Sequence, residues 1–257
     1  STLAKDLPSD VRFADSPSVL RWAIRGALCV PVRSPAGIIG ALYADFTSRD
    51  PDGLDEGDLD LLAALGEHVG VAVERLHLAT SLERTSMNAV RALAGAIEAK
   101  DAYTRGHSDR VASLCTLLGR RLSLPWDRLQ RLLVAGTLHD VGKIGVSDAI
   151  LLKPERLTSE EFAVIRTHSE IGERILREFD GHDEVCLAIR HHHERWDGHG
   201  YPDRLAGAAI PVAARLICVA DSWDTMTTTR SYQCARTPAE ALAEIQRCAG
   251  TQFDPIV

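Results

Sequence analysis

The longest stretch of this sequence without a proline or an obvious turn runs from Leu59 to Lys100. Apolar or small residues recur along it in steps of three or four, which is the spacing of one face of an α-helix. They occupy positions 62, 65, 69, 73, 76, 79, 82, 86, 90, 93 and 97. A seam of this length predicts a helical connector that pairs with the same helix of a second copy, as in a coiled coil. The alternative is two ordinary helices with a break near Thr80 and Ser81.

The segments on either side of this helix differ in character. Residues 27–46 read as two β-strands joined by a Ser-Pro-Ala-Gly turn, and a polar loop follows in which Asp55 or Asp58 can cap the long helix. From about residue 85 onward almost every segment has the period of an amphipathic helix, and Thr158 opens one of them with a capping box. The sequence therefore predicts a mostly α protein, in which a small α/β domain precedes a helical connector and an all-helical domain.

Composition narrows the class of protein. Hydrophobic residues make up 45% of the 257 residues, enough for a substantial core, and the net charge is −7. An acidic chain is poorly suited to non-specific binding of nucleic acid or an anionic membrane, although it is compatible with a local basic pocket for a phosphate ligand. The six cysteines form no C-x-x-C pair, which indicates free thiols in a reducing compartment, and no apolar run reaches the roughly 18 residues of a spanning helix. We therefore expect a cytoplasmic chain with no nucleic-acid partner and no membrane segment in these residues.

Side chains that can bind metal are concentrated in the helical part, within or at the end of apolar helices. A single histidine in such a place is usually a hydrogen-bonded core residue. Burying many imidazoles without a shared partner is costly, however, and a metal ion provides that partner. Nitrogen and carboxylate ligands without thiolate suit Fe, Mn, Zn, Ni or Co better than a structural zinc site of the cysteine type. The candidates are His107, His139, Asp140, His168, His191, His192, His193 and Asp221.

Two groups of adjacent candidates indicate the kind of metal site. His139 and Asp140 point about 100° apart if they are helical, and a carboxylate can bridge two cations whereas a histidine cannot. Two cations a few ångströms apart activate a water molecule and hold a phosphodiester. The three histidines at 191–193 cannot all face one point. We therefore expect two of them to bind metal, and the residues alone leave open which two.

The residues after the third histidine predict a loop of defined conformation beside the candidate ligands. Asp-Gly-His-Gly-Tyr-Pro at 197–202 cannot continue a helix, because the two glycines permit unusual φ angles and Pro202 has no backbone N–H to donate. Lys143, three residues after Asp140, and Arg230, nine residues after Asp221, are suited to contact phosphate oxygens. The alternative for either residue is a solvated surface charge.

Together these residues resemble the HD-GYP family, a subgroup of the HD phosphohydrolase superfamily. The resemblance implies an all-helical domain that carries two or three metals and hydrolyses cyclic di-GMP to the linear pGpG, and for some members on to GMP. The matching stretches occur in the family's order and cover nearly all of residues 85–257. They are DAYTRGHSDRV (101–111), LHDVGKIGVSDAILLKPERLTSEEF (138–162), HSEIGERIL (168–176), HHERWDGHGYP (192–202), IPVAARLICVADSWDTMTTTRSY (210–232) and GTQFDP (250–255).

The resemblance also implies roles for individual residues. The family motif begins at the second of the three histidines, so His191 is not implied as a ligand. Asp140 and Lys143 are assigned to catalysis. Positions that meet the phosphates or guanine, or that belong to the signature loop, are assigned to substrate binding: Lys143, Tyr201, Pro202, Asp224 and Arg230. The implied metal ligands are His107, His139, Asp140, His168, His192, His193 and Asp221.

Two departures from the family pattern affect these expectations. Trinuclear members have a glutamate four residues before the first ligand histidine, and here that position is Tyr103. We therefore expect two divalent metal ions, with Fe or Mn ahead of Zn, Ni or Co, and not three. A basic residue often follows the R-x-Y stretch, and here it is Gln233, which weakens the expected binding of phosphate.

Residues 1–78 resemble the second half of a GAF domain, through LCVPVRSPAGIIGALYADF and the helix after it. We therefore expect a partial GAF-like sensory or dimerisation domain at 1–78, a connector at 79–100 and an HD-GYP phosphodiesterase domain at 101–257. The expected assembly is a homodimer whose activity the N-terminal domain regulates, and the alternative for that domain is a purely structural dimerisation element. The alternatives for the phosphodiesterase domain are a non-catalytic cyclic di-GMP receptor and an enzyme for another cyclic dinucleotide or phosphate ester.

Overall fold

The computed structural model describes residues 1–47, 55–100, 106–178, 183–229 and 234–257. The chain divides into two compact units, Ser1–Thr85 and Ser86–Val257. This division lies within the connector expected at 79–100, while the expected domain limits at residues 78 and 100 stay predictions. The mostly α fold class, with a small sheet near the N-terminus, is confirmed.

The first unit contains a three-stranded antiparallel sheet in the order β1-β2-β3. The two predicted strands are confirmed as β2 (Gly26–Ser34) and β3 (Gly37–Phe46), which pair as a hairpin. The turn between them needs a φ of 131° at Gly37, a value that favours glycine. The short edge strand β1 (Thr2–Ala4) and the helix α1 (Pro17–Trp22) were not predicted from the sequence. A small core in this unit is formed by Ala4, Leu7, Val19, Ile24 and Ala27.

The predicted long helix is confirmed as α2, which is continuous from Glu56 to Lys100 and has no break near Thr80. Asp55 and Asp58 share its N-terminal cap, because each backbone N–H donates to the other's carboxylate at 3.0 Å. In the first turns α2 packs on β2 so closely that a Cβ at Gly70 would lie 1.8 Å from the carbonyl oxygen of Arg33. Glycine is therefore required there. From residue 75 to residue 86 every residue of α2 is exposed.

The second unit is built from the end of α2 and a set of shorter helices around one core. Apolar side chains from the end of α2 and from the helices that follow it meet in this core, among them Ile97, Val111, Leu132, Ile189 and Leu216. Two short 3₁₀ helices cover Val141–Gly145 and Gly207–Ala209. The helices that follow α2 are α3 (His107–Arg121), α4 (Trp126–Leu138), α5 (Asp148–Leu151), α6 (Ser159–Arg166), α7 (His168–Arg177), α8 (Asp183–His191), α9 (Val212–Thr227) and α10 (Pro238–Arg247).

Local signals explain where several of these helices begin. Thr158 and Glu161 form the predicted capping box of α6, and Thr237 and Glu240 form a second one at α10, where Pro238 occupies the first turn. All six cysteines lie in described parts of the chain and carry free thiols, as predicted. Among the described residues, no helix combines the length and the hydrophobicity needed to cross a lipid bilayer.

Candidate metal centre

The predicted ligands lie mostly where helices of the second unit begin or end. Two are first residues of helices, four directly follow helices, and one lies inside a helix. They are His107 of α3 and His168 of α7, His139 and Asp140 after α4, His192 and His193 at the end of α8, and Asp221 within α9. The histidine rings pack edge to face in a chain, with centroids 5.0 to 5.3 Å apart between neighbours. The fold therefore gathers residues that are far apart in sequence into one cluster.

Two sets of three ligands stand out within this cluster. The first set is His107, His139 and Asp140, and the second is His168, His192 and His193. In each set the ligand atoms lie within 4.8 Å of one another, close enough to share one cation. Asp221 borders the first set, with its Oδ1 atom 3.3 Å from Nε2 of His107.

The carboxylate of Asp140 lies between the two sets. Its Oδ2 atom is 3.4 Å from Nε2 of His139 and 3.9 Å from Nε2 of His107. Its Oδ1 atom is 3.5 Å from Nε2 of His168, in the other set. Each oxygen therefore faces a different set, which is the geometry expected of a carboxylate that bridges two cations.

The backbone fixes which nitrogen of three histidines faces the centre. Nδ1 of His139 lies 2.8 Å from the carbonyl oxygen of Gly136. Nδ1 of His168 lies 2.7 Å, and Nδ1 of His192 lies 2.6 Å, from the carbonyl oxygen of the residue three positions earlier. A carbonyl oxygen can only accept, so Nδ1 carries the proton and Nε2 is left with a free lone pair. Hydrogen bonds of this kind orient metal-binding histidines and make them better ligands.

The charge states also suit metal binding. Burial, followed by the other histidines, lowers the pKa of His192 well below its ordinary value, and burial lowers the pKa of His193 to about 3. Burial also lowers the pKa of His168. Burial by itself would raise the pKa of Asp140, but the charges of Lys143 and the nearby histidines hold it well below its ordinary value. The imidazoles of His168, His192 and His193 are therefore neutral and Asp140 is ionised, and these are the forms that bind cations.

His107 is oriented by a carboxylate. Its Nδ1 atom lies 2.7 Å from Oδ2 of Asp224, and Asp224 in turn accepts two hydrogen bonds from Arg110, at 2.6 and 2.9 Å. Burial by itself would lower the pKa of His107, but Asp221 and Asp224 raise it to about 9. Asp224 is buried and both of its oxygens serve His107 and Arg110. The sequence analysis did not assign it this supporting role.

The remaining predicted site residues fall into two groups. Nζ of Lys143 lies 2.7 Å from Oδ2 of Asp140, directly beside the cluster. The ring of Tyr201 stacks on His193 with centroids 4.8 Å apart, and Pro202 follows it in the same loop. Arg230, Tyr103 and Gln233 lie outside the described residues.

The loop that carries Tyr201 is held by the end of the chain. The backbone N–H of Trp196 donates to the Gln252 carbonyl at 3.2 Å, and that of Asp197 donates to the Thr251 carbonyl at 2.8 Å. A side chain adds to this contact, because Nη1 of Arg195 donates to Oε1 of Gln252 at 3.3 Å. Hydrogen bonds to the GTQFDP stretch (250–255) therefore hold this loop in place.

His191 points away from the cluster. It is buried, and its Nδ1 atom lies 3.6 Å from Asp203 and 3.8 Å from Glu194. Two of the three consecutive histidines thus face the cluster, as their positions on a helix end require.

The residues present fit a pair of divalent cations. Nε2 of His139 is buried and has no hydrogen-bond partner among the described residues. A buried polar atom in that state is costly, and a cation at this point would satisfy it. The donors are imidazole nitrogens and carboxylate oxygens in two sets around one shared carboxylate, a combination that suits transition metals.

Arg110 and Arg166 lie near the cluster and were not singled out in the sequence, whereas Asp224 was assigned there only to substrate binding. Arg110 follows His107 by three residues and Asp224 follows Asp221 by three, so each pair shares a helix face, and this spacing is a usable signal. Arg166 places its guanidinium 5.0 Å from the Tyr201 ring centroid. No sequence spacing connects Arg166 with Tyr201, because tertiary packing brings them together.

Comparison with known proteins identifies the helical unit. Residues 91–257 match the family model of the HD domain. The chain is 34% identical over 224 residues to the 3′3′-cGAMP-specific phosphodiesterase 2 of Vibrio cholerae, covering 85% of this chain and 42% of that protein. It is 37% identical over 177 residues to the cyclic di-GMP phosphodiesterase response regulator RpfG of Xanthomonas campestris, covering 68% of this chain and 47% of that protein.

Two further comparisons agree. A cyclic di-GMP phosphodiesterase of Thermotoga maritima is 38% identical over 165 residues, covering 62% of this chain and 44% of that protein. The crystal structure of a cyclic GMP-AMP specific phosphodiesterase of Vibrio cholerae shares the fold, with a TM-score of 0.51 and 21% identity over 65% of this chain and 45% of that one. The chain spans less than half the length of these curated relatives. The extent of these matches, together with the motifs that supply the candidate ligands, shows that the chain belongs to the HD domain family, within the HD-GYP subgroup.

Proposed function

We propose that this chain hydrolyses cyclic di-GMP to pGpG, and in a further step to GMP, with two divalent cations bound in the helical unit. The observation that carries the proposal is the position of Asp140, whose two oxygens face two separate sets of ligands. Relatives of more than 30% identity that are named cyclic di-GMP phosphodiesterases support the substrate class.

The chain's own residues would divide the work as follows. His107, His139 and Asp221 would hold one cation, His168, His192 and His193 would hold the other, and Asp140 would contribute to both. Asp224 and Arg110 keep His107 in place. We favour Fe or Mn, since the donor set is nitrogen and oxygen without thiolate. When bound, two such cations supply the charge that activates water and holds a phosphodiester during in-line attack.

The substrate would be held by charge and by stacking beside the cations. The ammonium of Lys143 lies next to Asp140, so a phosphate drawn to the cations that Asp140 would hold would also meet this positive charge, which would stabilise the transition state. Arg230 would add a second cation to the phosphates. Tyr201, whose ring stacks on His193, and Pro202, which follows it, would offer an apolar surface on which a nucleotide base can pack.

A second candidate substrate is the hybrid cyclic GMP-AMP. It is favoured by the Vibrio cholerae relative with that specificity in its name, which matches 85% of this chain. The two substrates differ in one purine, so the ratio of kcat/KM for cyclic di-GMP and 3′3′-cGAMP, measured in competition in one reaction, decides between them. A ratio above one supports the first proposal, and a ratio below one supports the second.

We also propose that the protein acts as a homodimer through α2, in the cytoplasm, under control of its N-terminal GAF-like region. Leu65, Val69, Leu76 and Leu82 of the predicted seam are exposed in the single chain, which leaves an apolar stripe for a second α2. The six free thiols support a reducing compartment.

The test of the main proposal joins metal content with turnover. Protein purified without oxygen is analysed for metals, and the same sample is incubated with cyclic di-GMP. About two equivalents of Fe or Mn with release of pGpG are expected for a two-metal enzyme. Full metal content and tight binding without turnover would instead indicate a receptor.

A further inference from the structure

The last turn of α2 makes polar contacts with two of the segments that carry candidate metal ligands. Glu98 and Lys100 are two residues apart on this turn, and both are partly buried. Glu98 lines a small cavity together with His107, Asp140 and Lys143, so it borders the metal centre.

Glu98 caps the helix that His107 begins. The N-cap of α3 is Gly106, which has a φ of 69° and no side chain to satisfy the free N–H groups of the first turn. Glu98 supplies the acceptors from another helix: its Oε2 atom is 2.7 Å from the Gly106 nitrogen, and its Oε1 atom is 2.8 Å from the Ser108 nitrogen. His107 lies between these two amides, so its backbone is held on both sides.

Lys100 holds the segment that follows His139 and Asp140. Its Nζ atom donates to the Val146 carbonyl at 2.7 Å and to the Ile144 carbonyl at 3.3 Å, and it pairs with Asp148 at 3.0 Å. An ammonium has three protons, so these partners use its full capacity. The 3₁₀ helix from Val141 to Gly145 is thereby fixed at its far end.

We infer that Glu98 and Lys100 are positioning residues of the metal centre. Glu98 acts through the backbone of α3 and sets the place of His107, while Lys100 acts through the 3₁₀ helix and sets the place of His139 and Asp140. These three ligands form the first set, so the last turn of α2 sets the spacing within that set. The inference rests on the proposed two-metal function.

The placement connects the metal centre with the helix that also runs through the first unit, because α2 is continuous from Glu56 to Lys100. The quantity that the last turn of α2 would affect is the affinity of the first set for its cation.

The test compares Mn²⁺ binding by matched variants of the full chain. Glu98→Gln keeps the shape of the side chain but replaces one acceptor with an NH₂ group that faces an N–H, and Lys100→Met removes the ammonium. We expect each to raise the Kd of one Mn²⁺ about tenfold and to lower kcat with KM within twofold, since supporting contacts affect metal affinity on this scale. Glu83→Gln and Arg84→Met, at exposed positions of α2, should change neither quantity.

Two readouts separate positioning from simple destabilisation. Electron paramagnetic resonance of Mn²⁺ should change from a spin-coupled pair to the six-line signal of a single ion in Glu98→Gln and Lys100→Met, and Lys100→Arg should restore most of the affinity. Ile97→Val, which weakens the core of the same turn, should lower the Tm of the chelator-treated protein without changing the Kd. If Ile97→Val loses Mn²⁺ in proportion to its Tm, the contacts act only through stability and the inference is wrong.

The outcomes also distinguish this inference from the proposed function. Wild-type protein that binds no pair of Mn²⁺ ions, or that hydrolyses neither cyclic dinucleotide, contradicts the proposed function itself. Wild-type protein that binds and hydrolyses normally, with unchanged Kd and signal in both Glu98→Gln and Lys100→Met, overturns the positioning role alone.

Discussion

At the scale of single residues, charge and the number of oxygens decide what Asp140 can do. Asp140→Asn keeps the size of the side chain but removes the negative charge and one of the two oxygens that face the ligand sets. We expect bound metal to fall from about two ions per chain to one or none, and turnover to fall more than about 100-fold. Elemental analysis and a product assay on the same sample measure both. Full metal content in this variant would contradict the bridging role.

The support of His107 leads to a second prediction at this scale. Asp224→Ala removes the acceptor for Nδ1 of His107 and the carboxylate to which Arg110 donates two hydrogen bonds. We expect metal affinity to fall about 10- to 100-fold, with the protein still folded. Asp109→Ala, at an exposed position on α3, serves as the matched control. Equal Mn²⁺ affinity in the two variants would show that Asp224 does not hold His107.

The candidate ligands could be predicted from their residue types in the sequence. The residues that hold those ligands in place could not be predicted in this way. Histidines and aspartates at the ends of apolar helices are costly without a common partner, so their number alone points to one site. Glu98 and Lys100 are ordinary charged residues on a largely exposed helix. Their partners are set by tertiary packing, which leaves no signal in a single sequence.

At the scale of secondary-structure elements, close backbone contacts align the ligands. A Cβ at Gly142 would lie 1.8 Å from the carbonyl oxygen of His168, so the 3₁₀ helix rests directly on the start of α7. This contact brings the segment after Asp140 against a ligand of the second set. Glycine at this point is therefore a condition for the two sets to meet.

Gly142→Ala tests that contact. We expect a loss of about 1–3 kcal/mol in the free energy of unfolding, because the added methyl group forces two backbones apart. Gly95→Ala is the matched control, since a Cβ there meets nothing within 4 Å, and alanine in a helix should stabilise by about 0.5–1 kcal/mol. Denaturant-induced unfolding of both variants measures the two changes in the free energy of unfolding, which should have opposite signs. A neutral Gly142→Ala would mean that the segments separate without cost.

The exposed stripe on α2 gives a prediction about assembly. Leu82 lies on the predicted seam and Leu78 lies off it, and both are exposed, at 69% and 62%. Leu82→Glu should shift the protein from dimer to monomer, because a charge in a paired seam is costly to bury, whereas Leu78→Glu should leave the dimer intact. Sedimentation at several concentrations measures the mass. A monomeric wild-type protein would rule out the coiled-coil interpretation of the seam.

The periodic elements were the easiest to predict from the sequence. The seam of α2 and the capping boxes are local signals, so the long helix, α6 and α10 could be predicted from neighbouring residues alone. The edge strand β1 and the helix α1 are too short to show a period. They owe their structure to pairing with β2 and to the core around Val19, which are contacts between distant residues.

At the scale of the whole molecule, the two compact units should respond differently to loss of metal. Every candidate ligand lies in the second unit. A cation present at 100 times its Kd stabilises the unit that binds it by about 2.7 kcal/mol. A chelator should therefore lower the melting temperature of one transition and leave the other unchanged. Calorimetry with and without the chelator measures both temperatures. A parallel shift of all transitions would show that the units unfold together.

The wide spread of the ligands along the chain has a consequence for the order of folding. The groups that meet at the centre come from positions 107, 139–140, 168, 192–193 and 221, so several long loops must close before a complete set exists. Closing those loops costs conformational entropy, and the favourable free energy of helix packing, not that of metal binding, offsets this cost. A zinc finger is organised by its metal from a short local loop. Here the ion would arrive at a nearly finished topology, so metal supply would govern how long the folded chain persists and would leave its folding rate unchanged.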